Sequence, residues 1–159
     1  MKITIFRALH WACRIILAGI FLYTGYHKLE SPLQFAAVLS GYKLFPDSLI
    51  LPLTYYFPWV EIGLGALLLA GWKIRYVSLG ACGLMAAFIA VLTITYVRGI
   101  DANCGCFSFD DRITPLTIVR DGLIILPAIY LAADSAMRAR RGSSAALPVL
   151  KHAQKITGK

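Results

Sequence analysis

Between Arg75 and Arg98 the chain runs for 22 residues, Tyr76 to Val97, without a charged side chain. At about 1.5 Å of rise per residue such a stretch crosses a hydrocarbon core of about 30 Å. Three further stretches read the same way. From Ala8 to Tyr26 only Arg14 interrupts an apolar run, and from Ile50 to Gly71 only Glu61 does so. Leu116 to Ala133 is the fourth; it carries Arg120, Asp121 and Pro127, but a proline is tolerated in a membrane helix and the two charges fall at its interfacial end. The composition agrees, with 58% of residues hydrophobic, 15% charged and a mean hydropathy of +0.69. The expected fold is all-α, an integral membrane four-helix bundle with spans at about 8–27, 52–71, 76–97 and 116–133. These form one domain of residues 1–134, followed by a basic cytoplasmic tail, 135–159. Lys2 and Arg7 precede the first run as they would in a signal peptide. That run is longer than the usual ~7–15 residues and no small-x-small site follows it, so it is read as a span.

Basic residues near the spans set the expected orientation. Lys2 and Arg7 precede the first span, Lys73 and Arg75 join the second to the third, and Arg138, Arg140 and Arg141 follow the fourth. These sides are predicted to be cytoplasmic, with both termini inside an inner membrane and the other two loops facing outward. The net charge of +8 then needs no nucleic acid. Six basic and no acidic residues lie in Ser135 to Lys159, a tail suited to an anionic bilayer surface or simply to solvent.

The segment Ser31 to Pro46 reads as a short interfacial helix between spans one and two, capped by Ser31 with Pro32 in its first turn and Leu33, Ala36, Ala37 and Leu44 on its apolar face. Pro46 and Pro52 are expected to break the chain before the second span. Tyr55, Tyr56, Phe57 and Trp59 then cluster as an aromatic belt would, with a quinone-stacking platform as the alternative. In the third span Gly83, Ala86, Ala87 and Ala90 recur at four-residue spacing, which predicts close helix packing.

The chemistry-bearing signal is Asn103-Cys104-Gly105-Cys106-Phe107, in a predicted outward loop. An i to i+2 step spans at most about 7 Å and a disulfide needs Cα atoms about 4.4–6.8 Å apart, so the two thiols are within bonding reach and Gly105 permits the bend. A ring that small is strained, and strain favours exchange over stapling. Three readings stand side by side: a redox-active pair in an oxidising compartment, a Cu(I) site lacking a neighbouring Met or His, and a structural pair. Asp101 and Asp110 disfavour thiolates while Arg98 and Arg112 favour them.

Depth gathers a second group. Glu61 lies 12 residues before Lys73, roughly 18 Å from the cytoplasmic edge, and His27, Lys28, Arg98, Arg120 and Asp121 fall near the same outer side. Glu61, His27, Arg120 and Asp121 are therefore expected as a proton-handling or ion-pair cluster, with Glu61 a proton acceptor or a partner for Arg120. Arg14 is expected to snorkel to the cytoplasmic side. Cys13 and Cys82 lie at matching depth and form a possible second thiol pair, against the plain reading of two small hydrophobes.

The chain resembles the MauE (methylamine-utilisation) family, within the wider DoxX-like group of small four-helix membrane proteins. The resemblance runs from about Arg7 to Asp134 and rests on Gly25-Tyr26-His27-Lys28-Leu29, Pro58-Trp59-Val60-Glu61 and Cys104-Gly105-Cys106-Phe107. Ser108 stands where family members commonly have Gly. The resemblance implies a part in maturing extracytoplasmic redox proteins, notably disulfide formation in the small subunit of methylamine dehydrogenase beside a thioredoxin-like partner. From the thiols the expected activity is disulfide exchange at Cys104 and Cys106 with such a partner or a redox client, with a membrane quinone near Glu61 and Trp59 as the candidate onward acceptor. The rivals are a non-enzymatic docking subunit and a copper-handling protein; no haem, iron–sulfur or other resident metal ligand set is legible.

Overall fold

The computed structural model describes the backbone of residues 2–105, 109 and 111–157, and the side chains of 6–105, 109 and 111–137. Cys106 and Asp110 lie outside the described residues, as do the side chains of the basic tail beyond Met137.

Five helices follow one another: α1 Lys2–Glu30, α2 Pro32–Gly41, α3 Asp47–Ala70, α4 Ile74–Val97 and α5 Pro115–Thr157. Four of them contain stretches of membrane-crossing length and hydropathy, Phe6–Glu30, Asp47–Ala70, Ile74–Val97 and Pro115–Met137. At 23 to 25 residues each reaches past ~30 Å. Leu, Ile, Tyr and Trp side chains cover much of the outer surface, as a lipid-facing wall requires. The molecule is an integral membrane helical bundle.

The spans form a ring in which α1 packs on α3 and α5, and α4 on α5 and α3. The α1–α3 seam is the tightest. A Cβ on Gly25 would lie 2.8 Å from Ile62, and one on Gly65 would lie 2.8 Å from Leu22, so each glycine lets the facing helix come close. By contrast Gly83, Ala86, Ala87 and Ala90 are exposed, so the small-residue face of α4 is not buried within the bundle as its spacing predicted.

Two cores divide the interior. Toward the α3–α4 turn, Leu17, Ala18, Phe21, Leu68, Ala81 and Leu131 interlock, with Cys13 and Cys82 packed against them. At the other end α2 and the α4–α5 connection close the bundle through Phe35, Val38, Leu39, Tyr42, Leu92, Ala102, Cys104 and Phe109. The short helix forms as expected but turns a different face inward. Phe35, Val38, Leu39 and Tyr42 are buried, whereas Leu33 is 84% exposed. Their i, i+3, i+4, i+7 spacing is equally helical, and two aromatic rings bury far more area than alanines. The Ser31 side chain makes no cap; its carbonyl accepts the Phe35 N–H at 3.2 Å.

Pro46 precedes α3, but Pro52 and Pro58 both lie inside it, where membrane helices tolerate them. The α3 C-terminus is where Arg14 belongs. It is buried rather than snorkelling, its guanidinium donates to the carbonyls of Leu68 and Leu69, and it stacks 4.4 Å over Trp11. Cations favour the carbonyl end of a helix, and these carbonyls have no intrahelical partner of their own. Gly71 turns the chain there at φ 71, with the guanidinium against the position of its missing Cβ. Finally, α5 continues to Thr157, so the backbone of the tail prolongs the fourth span as helix instead of leaving it near Ala133.

Candidate functional site

The connection from α4 to α5 is a narrow hairpin-like loop. Asn103 and Arg112 form an isolated antiparallel bridge, the Cys104 N–H donates to Asp111 O at 2.6 Å, and Ile113 N–H donates to Ala102 O at 3.0 Å. Gly105 follows at φ 66, and a Cβ there would lie 2.8 Å from Val38 of α2, so only glycine suits both the turn and the approach. Tyr42, the residue that follows α2, donates its hydroxyl to the Cys104 carbonyl at 2.5 Å. These bonds seat Cys104 inside the end of the bundle at 1% exposure.

The first turns of α5 meet it there. The Cys104 sulfur lies 3.7 Å from Asp121 Oδ2 and 3.9 Å from Arg120 Nη2. Arg120 Nε donates to Asp121 Oδ1 at 3.1 Å, and its Nη1 stands 3.7 Å from Asp111. A thiol thus sits between a buried carboxylate and a guanidinium, groups able to take its proton and to offset the charge left behind.

Beneath this triad is a buried ion pair. Lys28 Nζ donates to both carboxylate oxygens of Glu61, at 2.9 and 2.8 Å, and lies 5.5 and 5.6 Å from the ring centres of Phe35 and Phe57. Glu61 therefore pairs with Lys28 and not with Arg120. A cavity of ≈ 50 Å³ joins the two groups, lined by Thr24, Lys28, Glu61 and Asp121 among apolar side chains of all four spans. That volume admits water, and its walls supply the partners water needs.

Of the residues grouped by depth, Arg120 and Asp121 meet at Cys104, and Glu61 faces Asp121 across the cavity. His27 is elsewhere: its ring lies 4.7 Å from that of Phe109 and 6.1 Å from that of Tyr23, under the loop. Cys13 and Cys82 are not brought together, since no Cα of α1 comes within 8 Å of one of α4, beyond the ~7 Å limit for a disulfide. Among the described residues no three His, Cys, Asp or Glu side chains converge as metal ligands do. The aromatic residues nearest Trp59 point away from Glu61: Tyr55, Tyr56 and Trp59 are exposed, while Phe57 turns inward. A second, apolar cavity of ≈ 230 Å³, lined by Phe35, Phe45, Leu53, Phe57 and Phe88, shares Phe57 and Phe88 with the first.

Lys28 is the member that depth alone did not assign to Glu61. It continues the buried stripe Leu17, Phe21, Thr24 along α1, as Glu61 continues Thr54, Pro58, Gly65 and Leu68 along α3. Opposite charges on two inward stripes are a signal of pairing that the sequence does carry.

A family model described as methylamine utilisation protein MauE matches residues 6–134, which holds every element of this site. The chain belongs to the MauE family. Among curated MauE proteins it is 28% identical over 125 residues to that of Paracoccus denitrificans, covering 77% of this chain and 66% of the relative. It is 30% identical over 110 residues to that of Methylophilus methylotrophus, covering 68% of this chain and 55% of the relative. The chain thus spans between 55% and 66% of the length of those MauE proteins. No solved structure matches it.

Proposed function

We propose that this MauE-family chain is a membrane thiol–disulfide exchange protein that supports maturation of extracytoplasmic redox proteins of the methylamine-utilisation type, through Cys104 and Cys106 and with a thioredoxin-like protein or a redox client as partner. The observation that carries this reading is the setting of Cys104, whose sulfur lies between Asp121 Oδ2 and Arg120 Nη2. A merely structural thiol needs neither group, and burying the Asp121 carboxyl at 3% exposure near an apolar span is costly. The reading places the loop on the outer face of an inner membrane, with both termini cytoplasmic, and the chain in the wider DoxX-like group. In that setting the loop meets oxidising conditions.

A membrane quinone is the acceptor class that a two-electron exchange in a bilayer calls for; it supplies uptake of two electrons and two protons. The residues that would hold one are Phe35, Phe57 and Phe88 along the apolar cavity, with Lys28 at the polar end they share. The docking-subunit reading has its own support in the burial of Cys104 and the pinning of its loop on Val38 and Tyr42.

Replacing each loop cysteine by Ser separates the two. An exchange protein accumulates mixed disulfides with its partner through the remaining thiol and stops maturing the client. Unchanged client maturation in both Cys104→Ser and Cys106→Ser would leave the docking subunit as the answer. Copper that co-purifies and is lost in both variants would instead favour metal handling.

A further inference from the structure

An ammonium group has three N–H donors, and Lys28 gives two of them to Glu61, at 2.9 and 2.8 Å. The third meets no acceptor among the described residues, although Lys28 is only 2% exposed and lines the ≈ 50 Å³ cavity. A buried pair of charges adds little stability that two apolar side chains would not supply, so its presence among four membrane spans points to a task.

The surroundings specify what that donor can meet. Lys28 Nζ stands 5.5 and 5.6 Å from the ring centres of Phe35 and Phe57, and both rings also line the apolar cavity of ≈ 230 Å³. Phe57, Leu84 and Phe88 are walls of both cavities, so the polar pocket and the apolar one adjoin. Together they approach the roughly 300 Å³ at which small-molecule pockets begin. On the α4 side the larger cavity is walled by Ala87, which is exposed on the lipid-facing surface, so a molecule dissolved in the bilayer reaches it without crossing water. Glu61 already neutralises Lys28, so the pair as a whole attracts no anion. The ligand that fits is uncharged, with a flat apolar head for the aromatic walls, one acceptor oxygen for the spare N–H, and an apolar tail.

We propose that the two cavities form one site for a membrane quinone, reached from the lipid past Ala87, in which the third N–H of Lys28 donates to a ring carbonyl and so selects a quinone over a lipid acyl chain. This deepens the acceptor reading above and rests on it. An acyl chain satisfies the same apolar walls but leaves the Lys28 donor facing carbon, and a fatty-acid carboxylate meets the charge of Glu61. Lys28 is thus a positioning residue, and Glu61 holds its ammonium in place.

The test uses the full chain in detergent, oxidised beforehand with diamide so that no thiol reduces the ligand, and titrated with decylubiquinone carrying ¹³C at its carbonyls. Infrared difference spectra should show a carbonyl stretch lowered relative to the same quinone in protein-free micelles, and calorimetry gives the Kd. Lys28→Met/Glu61→Leu should lose the lowered stretch and bind at least about tenfold more weakly. Ala87→Trp, at the lipid-facing wall, should weaken binding without moving the stretch of the quinone that still binds. Decylbenzene, a ring and tail with no acceptor, should bind the parent more weakly than the quinone does. An unshifted carbonyl in the parent, the same shift in the double variant, or decylbenzene binding the parent as tightly as the quinone overturns the inference. The parent spectra and the decylbenzene comparison need no variant, so they decide the matter even if the double variant does not fold. The mixed-disulfide test of the loop cysteines is read separately: its failure with quinone bound faults the exchange alone, and loss of quinone binding with exchange intact faults only this site.

Discussion

Lys28 and Glu61 show how a residue's worth here depends on its partner. Each charge is nearly closed off from solvent, at 2% and 7% exposure, and each is compensated by the other. Removing one should cost about 3–5 kcal/mol because the survivor is left buried and unpaired, whereas replacing both with apolar groups should recover most of that. The expected order of thermal stability is therefore wild type and Lys28→Met/Glu61→Leu above either Lys28→Met or Glu61→Gln alone. Single variants as stable as the double would show that the cavity's water, and not the partner, compensates each charge. Gly105 offers a second measurement at this scale. With φ 66 and Val38 in the way of a Cβ, Gly105→Ala should destabilise the protein by about 1–2 kcal/mol, and Val38→Ala should relieve the clash but not the backbone strain. A double-mutant cycle gives both parts. The sequence made the importance of Gly105 legible as a bend between two thiols; that the same glycine admits α2 depends on a contact 67 positions away in the chain, which no local pattern encodes.

Among the elements, the four spans were legible because each is a long apolar run with charges confined to its ends or to one inward position. Their faces were less so. On a lipid-facing helix both sides are apolar, so the usual contrast between a hydrophobic core stripe and a polar outer stripe is lost, and small residues on α4 looked as fit for packing as Gly25 and Gly65. Polar residues restore the contrast, as Arg14 illustrates. Read by depth it would extend to the membrane edge; in the bundle it closes the open end of α3. Arg14→Met should cost about 1.5–3 kcal/mol through the lost charge-assisted bonds. Arg14→Lys should recover little, since an ammonium lacks the planar fork that reaches two successive carbonyls. Thermal unfolding in detergent checks both, and full rescue by Lys would reduce Arg14 to a simple countercharge for the helix end.

At the scale of the molecule, everything at the Cys104 end depends on which way the bundle sits. α2 and the α4–α5 loop close one end, and the α3–α4 turn with Arg14 lies at the other, so opposite ends of a single rigid ring are committed to opposite sides of the bilayer. The loop end carries Asp101 and Asp111 beside its arginines, while the α3–α4 turn carries Lys73 and Arg75 without an acid, the asymmetry that keeps a turn cytoplasmic. Labelling intact cells with an impermeant maleimide, in a background with both loop cysteines changed to Ser, should modify Asp101→Cys, an exposed loop position, and leave Trp72→Cys untouched until the cells are opened. The reverse pattern would put the thiols in a reducing compartment, where a vicinal pair rests as the dithiol and donates electrons to cytosolic partners. The orientation thus decides the direction of the proposed exchange: oxidation of a client if the loop faces outward, reduction of one if it faces the cytosol.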